Sequence, residues 1–410
     1  MDATAMTLPS PAPASTSAEA ATARRNPVWL DPADCAPADL EAVLDAGLSQ
    51  PKPALAAELA RGVPVYDCAA LRARCTDAAA RRELQAEWHQ VLADGAGVLV
   101  LAGAWSDLAV VDAVTAQFHA LIAAERSSGA GGDHFAKAGA NDRVWNALQK
   151  LCLADPALFA QYYANDMLDG VSTAWLGPGY QVTSQVNCVN PGGAAQKPHR
   201  DYHLGFCSAA QAAAYPASVH RLSPLLTLQG AVAHVDMPLA SGPTLLLPHA
   251  QKYLGGYLVA ARADFAEVFA RRHVQLPLRK GDAVFFNPAL IHAAGDNVTT
   301  DIRRLGNLLQ ISSAFGRAME SVDRLAMSLA LYPALQAALA SGRLDPAGAR
   351  CAVAACAEGY SFPTNLDLDP PLYGLAPQTQ QALMLQALGE AWPAERFSAA
   401  LQASAARKLA

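Results

Sequence analysis

From Tyr180 onward the chain is cut into short β-type runs by turn residues, and that rhythm narrows the available folds more than any other feature. The runs cover 181–189, 199–206, 225–236, 244–247, 274–278, 283–287 and 303–312, with corners at Asn190-Pro191-Gly192-Gly193 and Lys280-Gly281-Asp282. Glycine supplies left-handed backbone at such corners and proline cannot continue a ladder, so each run must end and turn back. Many short strands bounded in this way suit a sandwich or a jelly roll. One helix is expected among them, near Phe265–Arg271.

The flanks read differently. Leu84, Trp88, Val91 and Leu92 form one stripe of a helix over 77–93, ended by Gly95 and Gly97. Val98–Leu101 reads as a short buried strand, and Ser106 as the N-cap of a helix carrying Val111, Phe118, Leu121 and Ile122. A further helix is expected over Pro156–Leu168, and Met319, Val322, Leu325 and Leu329 lie at helical spacing after the last β run. The expected fold is therefore a mainly β core, a double-stranded β-helix of the cupin-like jelly-roll kind, wrapped by helices on both sides. The expected divisions are a disordered tail over 1–26, a helical segment with the first strand or strands over 27–179, the catalytic core over 180–313 and a helical segment over 314–410. The tail is rich in Ala, Ser, Thr and Pro and cannot repay its ordering entropy. The glycine-rich stretch Ser127–Gly139 is expected to be a loop or lid.

With 52% hydrophobic and only 16% charged residues, a sizeable core can be buried. A net charge of −6 without a Lys/Arg cluster gives no footprint for nucleic acid or an anionic membrane. No run of about 18 apolar residues stands out, so no transmembrane helix is expected. The cysteines are scattered without a CxxC pair. That pattern predicts reduced thiols and a cytoplasmic location. Oligomeric state is not legible.

The chemistry concentrates at Lys197-Pro198-His199-Arg200-Asp201-Tyr202-His203. On a strand, the period of two puts His199 and Asp201 on one face. Much later, Phe285-Phe286-Asn287-Pro288 leads into Ile291-His292. Two imidazoles and one carboxylate leave open positions on a metal and suit ferrous iron. Arg303 follows His292 by eleven residues and could clamp a carboxylate in the same pocket.

Together these residues resemble the phytanoyl-CoA dioxygenase family, over roughly Gln181–Ser312. The resemblance implies that His199, Asp201 and His292 hold Fe(II) and that Arg303 holds the tail of 2-oxoglutarate. It implies polar contacts from Gln185 and Asn187, on the strand before the H-x-D segment. The line Ser241-Gly242-Pro243-Thr244 to Leu247-Pro248-His249 is similar to the family's NGP…PGSH turn, with Ser241 for the asparagine and Ala250 for the final serine. Ala294 stands where members often carry a polar co-substrate contact. The function so implied is an Fe(II)/2-oxoglutarate-dependent dioxygenase. It would use O2 to hydroxylate or desaturate a small organic molecule and convert 2-oxoglutarate to succinate and CO2.

Two alternatives stay open on sequence: a cupin-type metalloenzyme that does not use 2-oxoglutarate, and a non-catalytic jelly-roll binding protein. Other residues have plainer expectations. His203 is a neighbour of the metal site, Lys137 a solvated lysine, and Tyr202, Phe206 and Trp175 core or barrel wall. His220, His234, His249 and His273 are expected in structural or surface roles.

Overall fold

A computed structural model describes residues 26–128 and 140–409. The expected tail up to residue 25 and most of the expected lid, with Lys137, lie outside the described residues. Eleven strands among the described residues form two sheets. They are β1 (Glu58–Ala60), β2 (Val63–Asp67), β3 (Val98–Ala102), β4 (Asn141–Val144), β5 (Gln181–Val189), β6 (Thr227–Ala233), β7 (Leu245–Leu246), β8 (Val274–Gln275), β9 (Ala283–Phe286), β10 (His292–Ala293) and β11 (Arg304–Ser312). The large sheet runs β1-β2-β3-β9-β6-β11-β5-β4 and the small one β10-β7-β8. Helices precede and follow this core. The double-stranded β-helix wrapped by helices is the architecture expected from the turn rhythm.

Strand alternation sorts the large sheet into two faces. Cys188, Val186 and Val182 of β5, Leu305, Leu309 and Ile311 of β11, and Leu228 and Val232 of β6 turn outward into one apolar cluster with the helices. Phe118, Phe159, Tyr162, Met327 and Leu331 meet them from the helical side, all fully or almost fully buried. Burying side chains of this size contributes about 1.5–3 kcal/mol each. The opposite face looks into the barrel. Toward one part it is apolar, with Val98, Val100, Val284 and Phe286 packed on Leu246 and Leu290. Along β5, β6 and β11 it carries the polar residues Thr183, Gln185, Asn187, Gln229 and Gln310 instead.

Local expectations hold in most places and fail instructively in a few. Asp77 caps the helix Ala78–Ala93 by accepting from the Ala80 amide at 2.7 Å. The cap of the helix Leu108–Ser128 is Asp107 and not Ser106: its carboxylate accepts from the Ala109 and Val110 amides at 3.0 and 3.2 Å. That helix is long and apolar enough to cross a membrane by length and composition, correcting the expectation that no segment qualifies. It places Val111, Val114, Phe118 and Ile122 against the sheet. The run expected over 156–168 is two helices, Pro156–Tyr163 and Asp166–Leu176, with Asn165 capping the second. Met319 and Val322 precede the helix Arg324–Ala340 and do not belong to it. The segment 199–206 is not a full strand: it pairs at His199 and turns away after Tyr202.

Gly242 shows why the Ser241-Gly242-Pro243-Thr244 turn has its form. Its φ is +73°, and a Cβ there would stand 2.4 Å from the Asp296 carbonyl oxygen. The turn therefore packs backbone on backbone against the loop that leaves β10. Gly242→Ala should destabilise the protein by about 2 kcal/mol, adding left-handed strain to a clash, as read from the midpoint of urea unfolding.

Candidate metal centre and co-substrate pocket

His199 and His292 are joined by a two-way backbone bridge, each amide donating to the other's carbonyl at 3.0 Å. The Asp201 amide then donates to the Pro288 carbonyl at 3.1 Å. These three bonds align the H-x-D segment beside β10 and bring three side chains together. One donor atom from each of His199, Asp201 and His292 lies within 4.8 Å of the other two. His292 Nε2 is 3.7 Å from Asp201 Oδ2, and the two imidazole centroids are 4.5 Å apart.

The surroundings orient each donor. His199 Nδ1 lies 2.9 Å from the Lys197 carbonyl, and His292 Nδ1 lies 3.0 Å from that of Leu290. A carbonyl can only accept, so both Nδ1 atoms carry the proton and both Nε2 lone pairs are free for a cation. Burial, then the nearby His199, pull His292 down to about 4 against the opposing pull of Asp201, so it is neutral at physiological pH. The Gln229 side-chain amide donates to Asp201 Oδ2, fixing the carboxylate from β6. Phe286 covers His292 at a centroid distance of 4.7 Å. A facial set of two imidazoles and one carboxylate, each held from behind, fits ferrous iron.

The barrel-facing row continues away from the triad along β5 and β11. Register pairs Gln310 with Thr183 and Gln229, Leu308 with Gln185, Gly306 with Asn187, and Arg304 with Val189. Gln185 and Asn187 thus stand inside the barrel, as expected. Gln185 accepts from Arg143 Nη1 at 2.9 Å. Asn187 Oδ1, Gln229 Oε1, Gln310 Oε1 and Arg304 Nη1 are buried without hydrogen-bond partners. Several orphaned polar atoms on one interior face are costly unless something else satisfies them.

Arg303, expected to reach this pocket, turns away from it. Its Nε donates to Asn190 at 3.1 Å and its Nη2 to Asp142 at 3.4 Å, where Arg126 already holds Asp142 with two bonds of 2.7 Å. Its side chain is 46% exposed. Arg304 is the buried one, 7% exposed, and burial pulls its guanidinium down to about 10 with no carboxylate to offset it. Only the register of β11 separates the two, and eleven-residue spacing alone picked the neighbour. The apolar residues Leu305, Leu309 and Ile311 at odd positions of β11, which put Arg304 on the other face, were the signal that could have singled it out.

The remaining expectations divide. His203 is not among the three clustered donors; its Nδ1 lies 2.8 Å from Thr227 Oγ1. His234 is buried between Thr115 and Tyr162, His249 meets the Gly95 carbonyl and His273 that of Phe269. Tyr202 and Trp175 are buried, whereas Phe206 is 74% exposed and not core, because the chain turns outward after Tyr202.

The family model described as phytanoyl-CoA dioxygenase (PhyH) matches residues 93–305. No curated protein matches the chain. Among solved structures, the epimerase SnoN in complex with Fe3+, alpha ketoglutarate and nogalamycin RO is 19% identical. That match covers 60% of this chain and 88% of the other, with a TM-score of 0.41. The non-heme alpha ketoglutarate dependent carbocyclase SnoK from nogalamycin biosynthesis is also 19% identical, covering 57% and 86%, at 0.40. HygX from Streptomyces hygroscopicus, with nickel, 2-oxoglutarate and hygromycin B bound, is 13% identical, covering 57% and 90%, at 0.41.

His292→Ala should remove stoichiometric Fe(II) binding under anaerobic conditions while leaving far-UV circular dichroism intact, because β10 keeps its backbone partners. Metal analysis after desalting checks this; retained iron would place the ligand set elsewhere.

Proposed function

The chain belongs to the phytanoyl-CoA dioxygenase family of Fe(II)- and 2-oxoglutarate-dependent oxygenases, and from that premise we propose that it hydroxylates or desaturates a small organic substrate with Arg304 as the co-substrate clamp. The observation that carries the clamp is the buried, unpartnered Nη1 of Arg304 on the same interior face as Asn187 and Gln310. A guanidinium left without an acid in the interior is matched by a dicarboxylate entering end-on.

Iron held by His199, Asp201 and His292 would supply dioxygen activation coupled to decarboxylation of 2-oxoglutarate. The protein's part is placement. Arg304 pairs with the distal carboxylate and sets how far the co-substrate enters. The buried amide oxygens of Asn187, Gln310 and Gln229 are unpartnered acceptors on the same interior face. Ala294 offers none, so Arg304 carries a larger share of the binding than in a relative with a polar residue there. Gln229 keeps the Asp201 carboxylate from swinging, and Phe286 with Leu290 keeps water from the His292 side. None of the eight cysteines is in a disulfide, which supports a reducing, cytoplasmic setting.

Anaerobic titration of the Fe(II) protein with 2-oxoglutarate, read by the visible charge-transfer band of the chelate, tests this reading. Arg304→Ala should weaken 2-oxoglutarate by roughly 10- to 100-fold, the value of a charged hydrogen-bonded pair. Arg303→Ala should shift affinity by less than about threefold, since an exposed ion pair contributes little. The reverse ranking would restore Arg303 as the clamp. Absence of any band in a protein that holds iron would favour a cupin-type enzyme without 2-oxoglutarate.

A further inference from the structure

Arg200 and Tyr202 alternate with the ligands of the H-x-D segment and face away from them, toward Tyr257. On that side lies a cavity of about 400 Å³, bordered by Arg200, Arg221, Lys252, His220, Tyr257 and Trp175. It shares a wall with the metal centre. Asn287 and Ala289 line it, and the Pro288 carbonyl between them receives the Asp201 amide.

The charge in this cavity is one-sided. Three permanent cations border it and Asp94 is the only carboxylate in its lining. Among the described residues Arg200 makes no ion pair. It donates to the Ala250 carbonyl, its Cζ lies 5.3 Å from the Tyr257 ring centre, and its buried Nε has no partner. The fold reserves the space for that guanidinium, because a Cβ on Gly256 would stand 2.0 Å from Arg200 Cζ. A desolvated guanidinium with a free donor and no acid is costly, and the fork it presents matches a carboxylate. Tyr257, with His220 stacked on it at 5.8 Å, and Trp175 add flat aromatic walls.

We propose that this cavity binds the carboxylate of a planar small molecule, the anionic end of the primary substrate, through Arg200 with Lys252 and Arg221 at the rim. The inference rests on the co-substrate reading only in taking the occupant to be the substrate. It narrows the substrate class to small organic carboxylates and gives Arg200 a positioning role beside the metal ligands.

Calorimetric titration with benzoate, its neutral isostere benzamide and phenyl phosphate tests it, at constant ionic strength and without 2-oxoglutarate. Benzoate should saturate the wild-type protein, with benzamide at least about tenfold weaker. Arg200→Gln should bring benzoate down to the benzamide level, again about tenfold or more. Lys252→Gln, at the rim, should weaken benzoate about two- to fivefold and reduce its salt dependence; it carries the test if Arg200→Gln does not fold. Equal binding of benzoate and benzamide, or benzoate affinity unchanged in both variants, would overturn the proposal. Tighter binding of phenyl phosphate than of benzoate would replace the carboxylate by a phosphate. The 2-oxoglutarate band recorded on the same proteins separates the two readings. Saturable benzoate without a band would remove the co-substrate reading and leave the cavity standing, whereas a normal band without benzoate binding would do the opposite. Parallel loss of band and benzoate in Arg200→Gln would make this cavity part of the co-substrate pocket and overturn a second site.

Discussion

The paired backbone bonds between His199 and His292 are the constraint on which the site depends. They are local in space and distant in sequence, and they lay the H-x-D segment beside β10 of the small sheet. Once made, they determine which side chains face inward on both segments. Neither imidazole needs to find the other, because the ladder has already set their spacing. The carbonyls of Lys197 and Leu290 then choose the tautomers. A metal site made this way is organised before any cation arrives, which lowers the ordering entropy that binding would otherwise oppose.

The second constraint is the division of the large sheet into two faces. Outward positions of β5, β6 and β11 are mostly apolar and pack on helices, with Asn307 and Ser184 hydrogen-bonded to helix tyrosines among them. Their inward neighbours carry amides, hydroxyls and one guanidinium. A one-residue slip of β11 would send Leu305 and Leu309 into the polar barrel and Gln310 into the apolar layer. The burial that stabilises the protein is therefore the same interaction that turns Arg304 toward the barrel interior. The H-x-D segment repeats the arrangement on a smaller scale: His199 and Asp201 face the candidate metal centre, while Arg200 and Tyr202 face the other way, toward Tyr257.

Much of this was legible in the chain. The turn residues announced a barrel of short strands, and the residue types at 199, 201 and 292 announced a metal. Gln185 and Asn187 came from the family resemblance, and the register of β5 puts both on the interior face. Other features were hidden for physical reasons. The strand β1 is three mostly exposed residues and β2 is five residues interrupted by Pro64, so neither declares itself in the chain, and both exist as additions to a sheet edge. The helix over 156–168 broke at Asn165 because a side-chain cap there satisfies two amides and starts a new axis. The cationic cavity is assembled from segments near 94, 175, 200, 221, 252 and 287, a grouping no local pattern contains.

By itself, the sequence determined the class of elements, the kind of metal donors and the family, because these depend on residue type and local spacing. Only the tertiary structure shows that Arg303 pairs with Asn190 and Asp142 while Arg304 is buried. Adjacent residues on a strand face opposite ways, and the choice belongs to the register with β5 and β6. That register is set by the packing of Leu305, Leu309 and Ile311 on distant helices, and no window of the chain around residue 303 holds that information.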